Sequence, residues 1–206
     1  MLWAFANDVF QRLVTFDKLL QRQNLRDEIV SLGLKPGAKV LDFGCGTALF
    51  ARVFQRKGMR YFGYDISQEL LDYASAIYPE AVFLSNKDSV SSSGEYDLII
   101  SNCCFHHIDD TTLRTELEQI HFWLKPDGYF MIMDLFEEGP QKSALRRLFL
   151  LMERGAFFRE PEEYQQTISQ VFNVLSVKFE ALPLFPWKFP GNPIASNLMV
   201  MVCRKS

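Results

Sequence analysis

Three carboxylates, Asp42, Asp65 and Asp88, each stand at or just beyond the end of a short apolar run. The first sits in "VLDFGCGTALF", where Gly44 and Gly46 follow it closely. Glycine tolerates positive φ and lets backbone approach a ligand closely. The start of a following helix offers unpaired N–H groups to a carboxylate or phosphate. A dinucleotide fingerprint would need a third glycine at position 49, where Leu49 stands. A carboxylate just ahead of the turn suits an ammonium or a sulfonium better than a phosphate. Asp65 is placed to hold both hydroxyls of a ribose, and Asp88 to reach an adenine amino group. The series fits a ligand with a cation, a ribose and an adenine, and no phosphate.

A second group, Cys103-Cys104-Phe105-His106-His107, follows a strongly apolar run. His106 and His107 are candidate general bases, and the alternative is that both pack a loop. A metal reading is set aside, because one short loop cannot easily surround a tetrahedral ion and structural sites draw ligand pairs from separated segments. Cys103 and Cys104 then read as small residues at a strand end. Asp134 either faces a reaction partner or caps the next helix. Arg146, Arg147 and Arg154 read as a solvated helix face, as contacts to an acceptor carboxylate or phosphate, or as a basic face towards a membrane carrying an apolar substrate.

These side chains need a scaffold that brings strand ends together. Short β-type runs cover Lys39–Phe43, Arg60–Asp65, Ala81–Ser85, Tyr96–Ser101 and Tyr129–Leu135. Helical patterns lie between them at Thr47–Lys57, Gln68–Ile77 and Thr111–Leu124. This alternation predicts βαβ units and a parallel sheet. Apolar residues at helical spacing also mark residues 7–32, Lys142–Arg154 and Glu160–Gln170, the last with Pro161 near its start. Phe172–Leu182 and Asn197–Arg204 read as closing strands. Between them "PLFPWKFPGNP" holds too much proline for regular structure.

The chain has 206 residues, 48% of them hydrophobic, and a net charge of −3. That suits one core and gives no basic excess for a nucleic-acid partner. No apolar run approaches the ~18 residues of a membrane helix, and the N-terminus does not read as a signal peptide. Cys45, Cys103, Cys104 and Cys203 form no disulfide-like framework, which fits a reducing, cytoplasmic setting.

The ordered motifs resemble the class I S-adenosylmethionine-dependent methyltransferases. "VLDFGCGTA" is similar to the family's first motif, with Ala48 where its last glycine is usual. "YFGYDIS", "NKDSV", "YDLIISNCCFHHI" and "LKPDGYFMIMD" are similar to its later stations. The resemblance covers roughly residues 35–135. It implies a three-layer Rossmann-like α/β fold of seven strands, order 3-2-1-4-5-7-6, with strand 7 antiparallel. It also implies one domain over 1–206: a helical cap (1–34), a cofactor-binding core (35–135) and acceptor-side helices with closing strands (136–206).

The implied cofactor is S-adenosyl-L-methionine. By the same resemblance Asp42 supports the methionine end, and Gly44, Cys45 and Gly46 bring backbone to its amino-acid portion. Asp65 takes the ribose, Ile66, Asp88 and Ser89 meet the adenine, and Asn102 and Cys103 line the sulfonium side. The expected reaction is methylation of a small, apolar or aromatic acceptor on oxygen or carbon. Phe157, Phe158, Phe185, Trp187 and Phe189 fall where the family varies its acceptor pocket. Asn102 is followed by Cys103 and not by the N-P-P-Y signature of amide and nucleobase methylation. The alternatives are a non-catalytic module that binds the cofactor or its product, and a nicotinamide-dependent oxidoreductase.

Overall fold

A computed structural model describes residues 27–90, 94–136, 157–182 and 196–206. The helical readings at residues 7–26 and Lys142–Arg154, the proline-rich segment, Arg146, Arg147, Arg154, Phe185, Trp187 and Phe189 lie outside the described residues.

Seven strands form one sheet in the order β3-β2-β1-β4-β5-β7-β6. They are β1 (Lys39–Phe43), β2 (Arg60–Tyr64), β3 (Val82–Leu84), β4 (Tyr96–Asn102), β5 (Leu124–Phe136), β6 (Phe172–Leu182) and β7 (Ser196–Lys205). β1 to β5 pair in parallel, whereas β7 runs antiparallel to both β5 and β6. The sheet order and the antiparallel seventh strand agree with the expectation from sequence.

The central strands are apolar on both faces, as a sheet covered on both sides requires. Val40, Leu98, Ile100, Met131, Met133 and Val200 point to one face. There they meet helix α1 (Ala51–Gln55), helix α2 (Gln68–Ile77) and Ile29, from a helical stretch over residues 27–31. Leu41, Ile99, Phe130, Ile132 and Met201 point to the other face, against α3 (Asp110–Trp123) and α4 (Pro161–Ser169). Each such buried aliphatic side chain contributes about 1.5–3 kcal/mol. The result is a helix–sheet–helix sandwich.

Two boundaries move from the sequence reading. The helix expected from Thr47 starts at Ala51, because residues 47–50 form turns around Ala48, whose φ is +58°. β5 starts at Leu124, with a register shift against β4 between Tyr96 and Leu98. The Lys125-Pro-Asp-Gly128 turn is thereby absorbed into an irregular strand start, with Asp127 at φ +65°. α3 opens as its sequence suggests: the Asp109 carboxylate accepts N–H bonds from Thr111 and Thr112 at 2.9 and 3.0 Å.

Candidate functional site

β1 lies between β2 and β4, so the order in which strands are added reverses beside it, where the loops after β1 and β4 meet. In open α/β sheets, ligands bind at this point, at the carboxyl ends of the strands. The meeting is tight. A Cβ added to Gly44 would sit 2.4 Å from Cys104 Sγ, and Gly44 has φ +73°. Only glycine satisfies both the conformation and the space. The Gly44 and Cys45 N–H groups both donate to the Tyr64 carbonyl, at 2.8 and 3.0 Å. Gly46, also left-handed at φ +52°, donates its N–H to Asp65 Oδ2 at 2.8 Å. Ser67 N–H donates to Asp65 Oδ1 at 2.9 Å. Asp65 therefore ties the turn after β1 to the turn after β2. A carboxylate has about four acceptor positions, so two remain for hydroxyl donors.

Beside Asp65, Ile66 is 86% exposed. An isolated isoleucine so bare offers an apolar face to a flat ring. Asp88 and Ser89 lie on a short 3-10 turn, Lys87–Val90, just past β3. Its Lys87 is ion-paired with the buried Glu116 of α3. Asn102 ends β4, and Cys103 follows at φ +50° with its N–H donating to the Met133 carbonyl at 2.7 Å. These residues all stand at or just past the carboxyl ends of β2, β3 and β4, and their types fit a ligand with a ribose and an adenine.

Asp42 lies below the glycine turn, 2% exposed. The Tyr61 hydroxyl donates to its Oδ2 at 2.6 Å. Burial pushes the carboxyl up from 3.8 to about 7; the Tyr61 hydrogen bond opposes the shift and the Asp65 charge adds to it. The Cys45 and Cys104 thiols are pushed up by burial first and by neighbouring acids second, which keeps them neutral.

The residues after β4 divide in two. His106 is 1% exposed and turned inward, whereas His107 is exposed. Asp134 is likewise 1% exposed. Its Oδ1 lies 2.5 Å from His106 Nδ1, and its Oδ2 accepts from the His106 N–H at 3.1 Å. Tyr164 of α4 donates its hydroxyl to the same Oδ2 at 3.1 Å, and the Leu135 N–H donates to Oδ1 at 2.9 Å. Burial and the Asp134 charge push the Tyr164 phenol well up, so it remains a donor. The His106 ring stacks on Phe158 at 5.2 Å. Asp134 caps no described helix; its bonds to His106 and Tyr164 anchor the loop after β4.

Sequence reasoning passed over two residues here. Arg159 is 5% exposed and donates to Asp110 at 2.7 Å and to the Phe105, Phe157 and Ile108 carbonyls at 3.0, 3.2 and 2.7 Å. Tyr61 is the other. No local pattern marks either, since all their partners but the Phe157 carbonyl lie far off in the chain. Among the described residues no three His, Cys, Asp or Glu side chains gather as a metal ion would require, and no helix is long and apolar enough to cross a membrane.

Residues 16–173, well over half of the chain, match the family model of a methyltransferase domain. An uncharacterized methyltransferase of Synechocystis is 27% identical over 135 residues, covering 65% of this chain and 63% of that protein. The human mitochondrial arginine-hydroxylase NDUFAF5 is 32% identical over 94 residues, covering 44% of this chain and 27% of that one. The chain thus spans less than two thirds of either relative. A TehB-like S-adenosylmethionine-dependent methyltransferase of Corynebacterium glutamicum shares the fold, with a TM-score of 0.61, 24% identity and coverage of 88% and 87% of the two chains. The chain belongs to the methyltransferase-domain family of that model, on a fold shared with S-adenosylmethionine-dependent methyltransferases.

Proposed function

We propose that the protein transfers a methyl group from S-adenosylmethionine to a small, apolar or aromatic acceptor, on oxygen or carbon. One observation carries this reading: the Gly44–Gly46 turn and the Asp65 carboxylate are joined at the sheet's switch point by the Gly46 N–H, with Ile66 bare beside them. When bound, the cofactor supplies an electrophilic methyl on a sulfonium. The chain's part is to hold and orient. Asp65 accepts from ribose hydroxyls, Ile66 packs on the adenine, and Asp88 and Ser89 face its edge. The Gly44–Gly46 backbone meets the amino-acid end, above Asp42. Asn102 and Cys103 border the sulfonium side, so an acceptor enters over the loop that His106, Asp134 and Arg159 anchor. Phe157, which is exposed, and Phe158, which is half-buried, bring aromatic surface to that side. That favours an apolar acceptor over a sugar. An acceptor that must lose a proton has His107 within the exposed part of the loop as its candidate base. Residues 1–206 read as one domain, and the cysteine usage fits the cytoplasm, which fractionation of cells expressing the tagged chain would test.

Calorimetric titration with S-adenosylmethionine, S-adenosylhomocysteine and NAD tests the cofactor. Micromolar binding of both sulfur ligands is expected, weaker by about tenfold or more in Asp65→Ala, with none for NAD. Binding of NAD alone would overturn the reading in favour of an oxidoreductase; Leu49, buried where a third glycine would stand, argues against that. A screen with a labelled methyl donor tests the acceptor, and transfer only to small polar molecules would sink the apolar assignment. Binding without transfer to any acceptor would favour a non-catalytic module.

A further inference from the structure

Asp42 is an unusual carboxylate for the floor of a binding turn. It is almost wholly buried, and among the described residues no cationic side chain pairs with it. Its bonded neighbour is a neutral hydroxyl, Tyr61 Oη at 2.6 Å. The other titratable groups among the described residues that face it are acidic or neutral as well: Asp65 at the end of β2, Cys45 in the turn and Cys104 after β4, with Tyr78 beyond Tyr61 at the end of α2. An isolated buried carboxylate is costly when ionised, and such a group holds its proton until a positive charge arrives. Burial raises this one to about 7, within the physiological range.

Resting on the cofactor assignment above, we propose that cofactor binding releases a proton from Asp42 to solvent, and that Tyr61 is a positioning residue that sets the pH at which this happens. In the free protein the carboxyl is neutral, with its proton on the oxygen that does not accept from Tyr61. The ligand's ammonium, brought against the glycine turn, favours the carboxylate; the O–H bond of the acid breaks and the proton passes to bulk water. Tyr61 donates to Oδ2 in both states, and its bond is stronger to the anion. The Tyr61 ring is held independently of its hydroxyl. It stacks on Phe54 at 6.0 Å and meets Phe83 edge-on at 6.3 Å, so phenylalanine can replace it with the packing kept.

The test is calorimetry of the full chain with S-adenosylhomocysteine, in two buffers of different ionisation enthalpy, between pH 5.5 and 7.5. At pH 6 the ligand's own α-amino group is already protonated, so a proton released there comes from the protein. The wild-type protein is expected to release close to one proton at pH 6 and progressively less above pH 7. Its affinity should fall about tenfold per pH unit on the acid side. Asp42→Asn should abolish the release and flatten the profile. Tyr61→Phe should bind with the same stoichiometry but with the profile moved up by about one pH unit, giving roughly tenfold weaker binding at pH 6. A purely structural role for Tyr61 would lower stability and leave the profile in place. Binding by the wild type with no proton released at pH 6 would overturn the coupling and leave the cofactor assignment standing, as would an unmoved profile in Tyr61→Phe for the tyrosine's role. Absence of binding by either sulfur ligand would overturn the cofactor assignment and the coupling with it.

Discussion

Two buried aspartates sit on neighbouring parts of the same sheet, and their surroundings are opposites. Asp134, on β5, is met by four donors: the His106 ring and N–H, the Tyr164 hydroxyl and the Leu135 N–H. Asp42, on β1, is met by the Tyr61 hydroxyl and faces another acid, Asp65. A carboxylate wrapped in donors is an anchor, because each donor is satisfied by it and would be stranded without it. A carboxylate with one neutral partner contributes little to the fold in its charged form. Under the proposed coupling it is an acceptor held in readiness for a charge from outside. The region around Asp134 therefore reads as the part that fixes the loop after β4, and the region around Asp42 as the part that responds.

The sharpest way to break this contrast is to remove the anchor. Asp134→Ala leaves a ring N–H, a phenol O–H and two backbone N–H groups buried with their shared acceptor gone. The expected loss is about 3–5 kcal/mol of unfolding free energy, the scale found when one member of a buried polar pair is deleted. Urea denaturation followed by tryptophan fluorescence measures it, since Trp123 lies in the same core cluster as Tyr164 and Phe105. A loss below about 1 kcal/mol would mean that the four contacts do not hold the loop.

The matching change at Asp42 should act with the opposite sign. Burial pushes its carboxyl from an ordinary value of 3.8 up to about 7 in the folded chain. Below about pH 4 both folded and unfolded chains are protonated there. Between about 4 and 7 the folded chain keeps a proton that the unfolded chain has lost, so stability falls as pH rises, and above 7 it levels off. The integrated cost is up to about 4 kcal/mol. Asp42→Asn, an isosteric copy of the neutral acid, should therefore be neutral at pH 4 and stabilising by about 2–4 kcal/mol at pH 8. Thermal unfolding at the two pH values reads the difference. Destabilisation of Asp42→Asn at pH 8 would place Asp42 among the anchors and erase the contrast.

The same contrast explains what could be read in the sequence. The glycine turn and the acids at successive strand ends are local: residues 42–46 make a turn by themselves, and a strand period carries the chain to Asp65 and Asp88. The sheet order came with the family resemblance, and the strand pairings bear it out. The anchor was illegible for a physical reason. His106, Asp134, Arg159 and Tyr164 come from a loop, a strand, the approach to a helix and that helix itself, and only the closed fold brings them together. His106 and Asp134 were noticed for their chemistry, but nothing local shows that each is the other's partner. Arg159 was missed because one arginine among many has no pattern until its carbonyl acceptors are known. The start of α1 was misread because Thr47–Phe50 carries helical spacing while the turn holds Ala48 left-handed.

Ala48 supplies the finest test, because it stands in the responsive region and breaks a local rule. An alanine at φ +58° bears a backbone penalty of about 1–2 kcal/mol, and glycine would remove it. Yet the Ala48 methyl is fully buried in the core beside β1. Losing a buried methyl costs about 0.8 kcal/mol, and the added freedom of glycine in the unfolded chain costs about 0.5–1 kcal/mol more. These terms nearly cancel, so Ala48→Gly should change unfolding free energy by less than about 1 kcal/mol and leave cofactor affinity within about threefold. The reason affinity should hold is that the turn is fixed by its bonds to Tyr64 and Asp65 and by the Ala48 N–H bond to the Cys45 carbonyl, a backbone bond that glycine keeps. A tenfold change in affinity at unchanged stability would show instead that the residue 48 backbone sets the ligand-facing shape of the turn. Asp65 would then share that role with a position that only its φ angle reveals.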